Sequence, residues 1–189
     1  MRQVKLLALM TALCVLLCSC GAGQTAEEKA MEIQEEYAGW DDLTATARIT
    51  ADYGDRVYDF KVRYTGNSSE GVLEILSPRE LQGITATVSP DGSSISFSGA
   101  ELALGELTAK GLSPMECIPM MIGQWSEGYI ERAEADSVDG RDAVSVTFTL
   151  SEKEYMVTWF ESETDLPVKS EIYFDGIMVL CCEFENIIT

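Results

Sequence analysis

Six cysteines and 32 carboxylates are the side chains of this 189-residue chain that could do chemistry, and no histidine stands beside them. Without imidazole there is no Ser-His or Cys-His nucleophile pair, and the commonest metal ligand is missing. The sequence has no Gly-x-Ser-x-Gly elbow and no Cys-x-x-Cys. Carboxylate pairs such as Asp41-Asp42 are too common in so acidic a chain to mark glycoside chemistry. The run Asp136 to Asp142 has the wrong ligand spacing for an EF-hand and reads as a hairpin turn. No catalytic residue, no cofactor and no metal ligand is therefore assigned, and the chain is read as a non-enzyme. The cysteines fall into two groups. Cys117, Cys181 and Cys182 are odd in number, so they allow at most one internal disulfide. Cys181 and Cys182 are adjacent, and adjacent strand residues point to opposite faces, which places them badly for bridging each other. They read as small buried hydrophobes, with a bridge from Cys117 to one of them left open.

The other group, Cys14, Cys18 and Cys20, lies at the end of an apolar run. Arg2 and Lys5 give a positive start, and Leu6 to Leu17 contains only Thr11 as a polar residue. A positive start, a short apolar centre and small residues after it mark a secretory signal peptide. Twelve helical residues cover roughly 18 Å, well short of the ~30 Å hydrocarbon core, so the run is not a membrane span. The residues Leu17-Cys18-Ser19-Cys20-Gly21 resemble a bacterial lipobox, in which a cysteine after a small residue is lipidated and becomes the new N-terminus. Cys14 and Cys18 follow leucines, whereas Cys20 follows Ser19, so Cys20 is the expected lipidation site. This division gives a signal peptide over 1–19, a lipidated cysteine and tether over 20–25, and one domain over 26–189. The expected location is the extracytoplasmic face of the cell membrane, held there by lipid, and stable holding needs more than one acyl chain.

Without Arg2 and Lys5 the mature chain carries 11 basic and 32 acidic side chains, a net charge of −21. Such a surface is repelled by nucleic acid and by anionic head groups, which excludes DNA, RNA and peripheral docking on phospholipid. The membrane is reached through the N-terminal lipid alone.

The elements that position these residues follow from hydrophobic period. Thr25 can cap a helix with Glu27 and Glu28 in its first turn, ending at Gly39, with Ala30, Ile33 and Tyr37 on its inner face. From Leu43 the period becomes two: Leu43, Ala45, Ala47, Ile49, Ala51 and Tyr53 share one face. Tyr58, Phe60, Val62 and Tyr64 alternate next, and turns at Gly54-Asp55, Gly66 to Ser69 and Pro90-Asp91-Gly92 make an antiparallel meander. Ser113, Pro114 and Glu116 then read as a capping box before a short, strongly apolar helix containing Met115, Ile118, Met120, Met121, Ile122 and Trp125. Pro119 is expected to bend or split it. A helix apolar on nearly every side lies inside a curved sheet or across its mouth. Strands resume from Tyr129; Tyr155 to Glu161 is apolar on both faces, which predicts that both are covered. The fold class is mainly β (α+β): an unclosed antiparallel β-barrel of about nine to eleven strands with an N-terminal helix and a short apolar lid helix.

That order, together with Leu166-Pro167-Val168-Lys169-Ser170-Glu171-Ile172-Tyr173-Phe174-Asp175-Gly176, the segment Cys182 to Ile187 and the placing of Pro119-Met120-Met121-Ile122, resembles the LolA/LolB-like family of bacterial lipoprotein carriers and lipid-binding lipoproteins. The resemblance spans about residues 26–189. It implies a half-barrel whose concave apolar face holds acyl chains under a helical lid. Family members that carry lipoproteins have an arginine just before the proline after the third strand; here Ser77 precedes Pro78 and Arg79 follows it, so that arginine's role is not transferred. The expected ligand-facing wall is Tyr58, Phe60, Val62, Met115, Ile118, Met121, Ile122, Phe148 and Phe184. The expected function is a membrane-anchored binder or carrier of lipids or acylated molecules, without catalysis. The alternative is an envelope sensing or protein-interaction module on the same fold, as the resemblance implies for relatives in stress signalling. A sealed core in place of a cavity favours that alternative.

Overall fold

The computed structural model describes residues 24–89, 93–97, 100–104 and 113–188. The signal peptide, Cys20 and the turn expected at Pro90-Asp91-Gly92 lie outside the described residues. Helix α1 (Ala26–Ala38) starts at the expected cap. Glu28 N–H donates to the Thr25 hydroxyl at 3.2 Å, and Thr25 N–H donates back to the Glu28 carboxylate at 3.0 Å, closing a capping box. Gly39 ends the helix, and Ala30, Ile33 and Tyr37 are buried, as their spacing predicts.

Eleven strands follow in one sheet: β1 (Leu43–Asp52), β2 (Val57–Gly66), β3 (Gly71–Ser77), β4 (Thr85–Val88), β5 (Ser93–Phe97), β6 (Ala100–Leu104), β7 (Ile130–Val138), β8 (Arg141–Thr149), β9 (Glu154–Glu161), β10 (Pro167–Phe174) and β11 (Ile177–Ile188). Their order is β6-β5-β4-β3-β2-β1-β11-β10-β9-β8-β7, antiparallel at every contact and open between β6 and β7. Two meanders are thus joined by one long-range pair, β1 on β11, with Ile49 opposite Cys182 and a register shift between Thr46 and Ala47. Local turns set the rest. Asp139-Gly140 and Asp175-Gly176 both take positive φ at both residues, the two-residue hairpin geometry that twisted strands prefer.

Period-two residues of both meanders form the core: Ala45, Ala47 and Ile49 from β1, Val62 and Tyr64 from β2, Val146 and Phe148 from β8, Met156 and Phe160 from β9. Into this face packs α2 (Cys117–Glu127). It begins later than the sequence predicts. Residues 114–116 form a turn, Ser113 Oγ accepts from Met115 N–H at 3.3 Å, and the Glu116 carboxylate accepts from Ser93 Oγ at 2.8 Å instead of closing a capping box. The late start also bears on Pro119, which does not split the helix. It stands in the first turn, where a backbone N–H has no intrahelical partner in any case.

Candidate functional site

The nine residues expected to line a ligand wall separate into three groups. Val62, Ile118, Met121, Ile122, Phe148 and Phe60 are buried in the common core. Met115 and Phe184 are half-buried against it, and Tyr58 is exposed at the end of β2. The short apolar helix is the reason for this division. Cys117, Ile118 and Met121 expose nothing, and Trp125 closes an aromatic cluster with Tyr37 (centroids 5.4 Å), Phe160 (5.9 Å) and Phe184 (5.4 Å). Trp125 Nε1–H donates to Thr158 Oγ1 at 3.0 Å, and Thr158 shares a 2.8 Å hydrogen bond with Ser170, all within the core. A buried indole N–H without such a partner would carry a desolvation penalty, so the three groups fix the helix in one orientation. Helix α1 packs on α2 and on β7 and β8. The helix is a plug in the half-barrel.

Among the described residues, one hollow beside the plug, of about 200 Å³, is bounded by Tyr53, Tyr58, Phe60, Pro114 and Met115. Tyr58 and Phe60 stack with centroids 6.2 Å apart, and Tyr53 meets Tyr58 at 6.1 Å. The wall is apolar or aromatic throughout, but the volume is below the 300–1,000 Å³ of usual small-molecule sites. It suits the end of one acyl chain or one apolar side chain. Arg79, the basic residue nearest the family's arginine position in sequence, is exposed on a 3-10 turn (Arg79–Leu81).

The outer face of β9 departs from expectation. Met156, Thr158 and Phe160 on the inner face are fully buried, but Tyr155, Val157 and Trp159 on the other are half-buried under neighbouring side chains. Tyr155 stacks on Tyr173 at 4.7 Å, Lys169 Nζ sits 4.3 Å over the Trp159 ring, and Trp159 Nε1–H donates to Asp136 at 2.8 Å. Cross-strand stacking and a cation over indole shield much of this apolar area, so the two-sided pattern does not require a second layer.

The three described cysteines are all free. Burial pushes the Cys117 thiol up to about 12 and Cys182 well above its ordinary value, while the half-buried Cys181 rises to about 11. Burial of this kind holds the thiols protonated, the poorly nucleophilic form, at neutral pH.

The end of the half-barrel where the chain enters is held by an ion pair. Lys29 Nζ meets Asp165 Oδ2 at 2.7 Å with both side chains mostly buried, and Tyr37 OH donates to the Asp165 carbonyl at 3.1 Å. The hydrogen bond to Asp165 raises the Lys29 pKa above its ordinary 10.5 against the opposing effect of burial. A raised amine pKa contributes stability that is fully present below about pH 10.5 and lost as pH climbs through the raised value. Lys29→Met is expected to cost more than the ~1 kcal/mol of an exposed pair and less than the 3–5 kcal/mol of a fully buried one. Thermal melts should show a constant gap between wild type and variant up to about pH 10, narrowing above it; a gap that persists unchanged at pH 12 contradicts the assignment.

No protein-family model matches the chain, and no curated protein does. Solved structures resemble it in fold. An uncharacterized conserved protein from Thermus thermophilus superposes with a TM-score of 0.51 at 10% identity, over 84% of this chain and 86% of that one. A LolA superfamily protein from Nitrosomonas europaea aligns over 87% of this chain and 93% of that one, with a TM-score of 0.42 at 11% identity. The open eleven-stranded sheet with one helix before it and one helix inside it is the architecture that the resemblance implied. The fold is LolA-like. A further match is a chain of the complex of the CwlD amidase with the GerS lipoprotein from Clostridioides difficile, at 15% identity and a TM-score of 0.43, over 88% of this chain and 96% of that one. Sequence reasoning placed most of this LolA-like core and missed one feature: a row of exposed apolar residues at hairpin ends. Its only signal was large apolar residues directly beside turns, as at Tyr129, Phe174 and Ile177.

Proposed function

We propose that this LolA-like protein is a non-catalytic interaction module, anchored through lipidated Cys20 at the extracytoplasmic face of the membrane, that engages an envelope protein. One observation carries the reading. The helix that would have to lid a ligand cavity instead fills the concave face, with Met121 as fully buried as the sheet residue Val146. A half-barrel closed by its own helix leaves its outer surfaces and rims as the parts able to bind. A second reading, binding of a lipid or acylated molecule, has the apolar hollow at Tyr58, Phe60 and Met115 in its favour.

Titration of the full-length lipoprotein with a fluorescent fatty acid separates the two. The interaction reading expects no saturable binding up to roughly 100 µM, a standard free energy weaker than about −5.5 kcal/mol. Saturable low-micromolar binding that is abolished by Tyr58→Asp would establish the lipid reading instead. The anchor is tested alongside by metabolic labelling with an alkyne fatty acid: Cys20→Ser should lose the label and Cys18→Ser should keep it.

A further inference from the structure

Strand register divides the exposed apolar residues between the two ends of the half-barrel. One end is marked by Thr25 and Lys29, beside the β7–β8 turn and Ser162. At the other end lie the start of β7, the β8–β9 and β10–β11 turns and the β1–β2 turn. Thr149 N–H bonds the Tyr129 carbonyl, Phe174 pairs with both Glu154 and Ile177, and Asp52 pairs with Val57. That second end carries Tyr129 (73% exposed), Ile177 (70%) and Val57 (62%), with Phe174, Met178 and Tyr58 each exposed by more than a third. Single exposed hydrophobes are ordinary, but here three stand on the β10–β11 hairpin, Val57 and Tyr58 lie two strands beyond it, and Tyr129 lies across the β8–β9 turn, so one rim gathers six apolar side chains, a concentration of the kind that marks an interaction site.

The rim is also held in shape. Asp175 N–H donates to the Lys153 carbonyl at 2.9 Å, Lys153 Nζ meets the Asp175 carboxylate at 3.2 Å, and the same ammonium lies 5.9 Å from the Phe174 ring. The β8–β9 and β10–β11 hairpins are thereby tied tip to tip. Along the curve from β7 to β2 the rim crosses seven strands, about 29 Å at ~4.8 Å per strand. That width matches one side of a standard interface, roughly 800 Å² per partner.

Geometry and charge together say what covers it. Only four residues lie between Cys20 and Thr25, five steps that reach at most about 18 Å even when fully extended, so the Thr25 end stays beside the anchoring membrane. The nine residues of β8 carry the rim roughly 30 Å farther out. The rim therefore points away from its own bilayer. Among the described residues, Asp52, Asp55, Glu131, Glu152 and Glu154 stand between and beside these side chains, with Arg56 and the Asp175-paired Lys153 as cations. Apolar side chains interspersed with carboxylates repel anionic lipid and a second copy of so acidic a chain, and they complement apolar groups flanked by cations.

We propose that this rim, the one farthest from Thr25, is the docking surface for a protein partner that presents apolar side chains flanked by lysines and arginines. The proposal rests on the interaction-module reading and gives that reading its place on the molecule. The test uses the full-length lipoprotein in its own membranes, carrying a photo-crosslinking p-benzoylphenylalanine at Tyr129, Ile177, Glu134 on the outer sheet face, Ser137 at the anchored end, or Tyr58 in the hollow. Positions 129 and 177 should trap the same partner peptide, with Lys or Arg close to aliphatic residues. The yield should fall about tenfold or more between 50 and 500 mM NaCl, as screening of a charged rim requires. It should fall similarly in Tyr129→Ser/Ile177→Ser, whose melting temperature should stay near wild type because both side chains are exposed. Trapping at 129 and 177 of a second copy, of lipid or of nothing overturns the proposal, and so does salt-independent trapping. Protein trapped only from Glu134 or Ser137 overturns the rim but leaves the interaction module standing. Lipid trapped at Tyr58, with no protein from any position, sinks that reading as well.

Discussion

Replacing Trp125 by alanine is expected to remove about 3–5 kcal/mol of folding stability, the range for truncating a large buried aromatic. Three contributions act together. The indole leaves a cavity among Tyr37, Phe160 and Phe184, the edge-to-face contacts are lost, and Thr158 loses its buried donor while keeping Ser170. Since domains of this size hold only about 5–15 kcal/mol in total, the variant should be close to unfolding at physiological temperature. Urea melts checked against Trp159→Ala give the internal control. Trp159 is only half-buried on the outer face, and its loss should cost well under half as much. Equal costs at the two tryptophans would mean that α2 does not plug the half-barrel.

Met121→Glu is expected to have an effect as large or larger. Met121 exposes none of its surface, and the buried polar side chains among the described residues are Thr158 and Ser170, neither of them a cation. A carboxylate placed there must either stay protonated or remain unpaired in the core, and either outcome costs several kcal/mol beyond the packing it disrupts. Met121→Ala should cost about 2–5 kcal/mol and at least as much as Val146→Ala, whose side chain is buried on β8. Circular dichroism and thermal melts of the three variants decide the matter. If Met121→Glu folds and melts within a few degrees of wild type, solvent or lipid occupies space beside the helix, and the fatty-acid reading regains its footing.

These two residues also show where legibility ended. Their apolar character was plain in the sequence, and a helix apolar on all sides had to be shielded from water somehow. Whether protein or ligand did the shielding depended on how much space two meanders leave between them. That is a property of sheet curvature and side-chain volume summed over many strands. No period in a single segment reports it. Pro119 failed as a guide for a related reason: its cost in a helix depends on position, and α2 starts only after Glu116, whose carboxylate bonds Ser93, 23 residues away in the chain.

What the sequence by itself determined was local and one-sided. Thr25 and Glu28 set the start of α1, alternation from Leu43 to Ala51 set the buried face of β1, and Asp139-Gly140 and Asp175-Gly176 set two hairpins, because caps, pleats and turns are decided by residues within a few positions of one another. The tertiary structure alone decided that β1 lies against β11, since a pairing over more than a hundred residues leaves no periodic trace in either strand. It also decided that the outer aromatics of β9 are shielded by their neighbours, and that Val57, Tyr129 and Ile177 come out at the same end of the half-barrel. Each of those last residues sits beside a turn, where it reads as an isolated surface hydrophobe, and only the register of seven strands brings them to the same end.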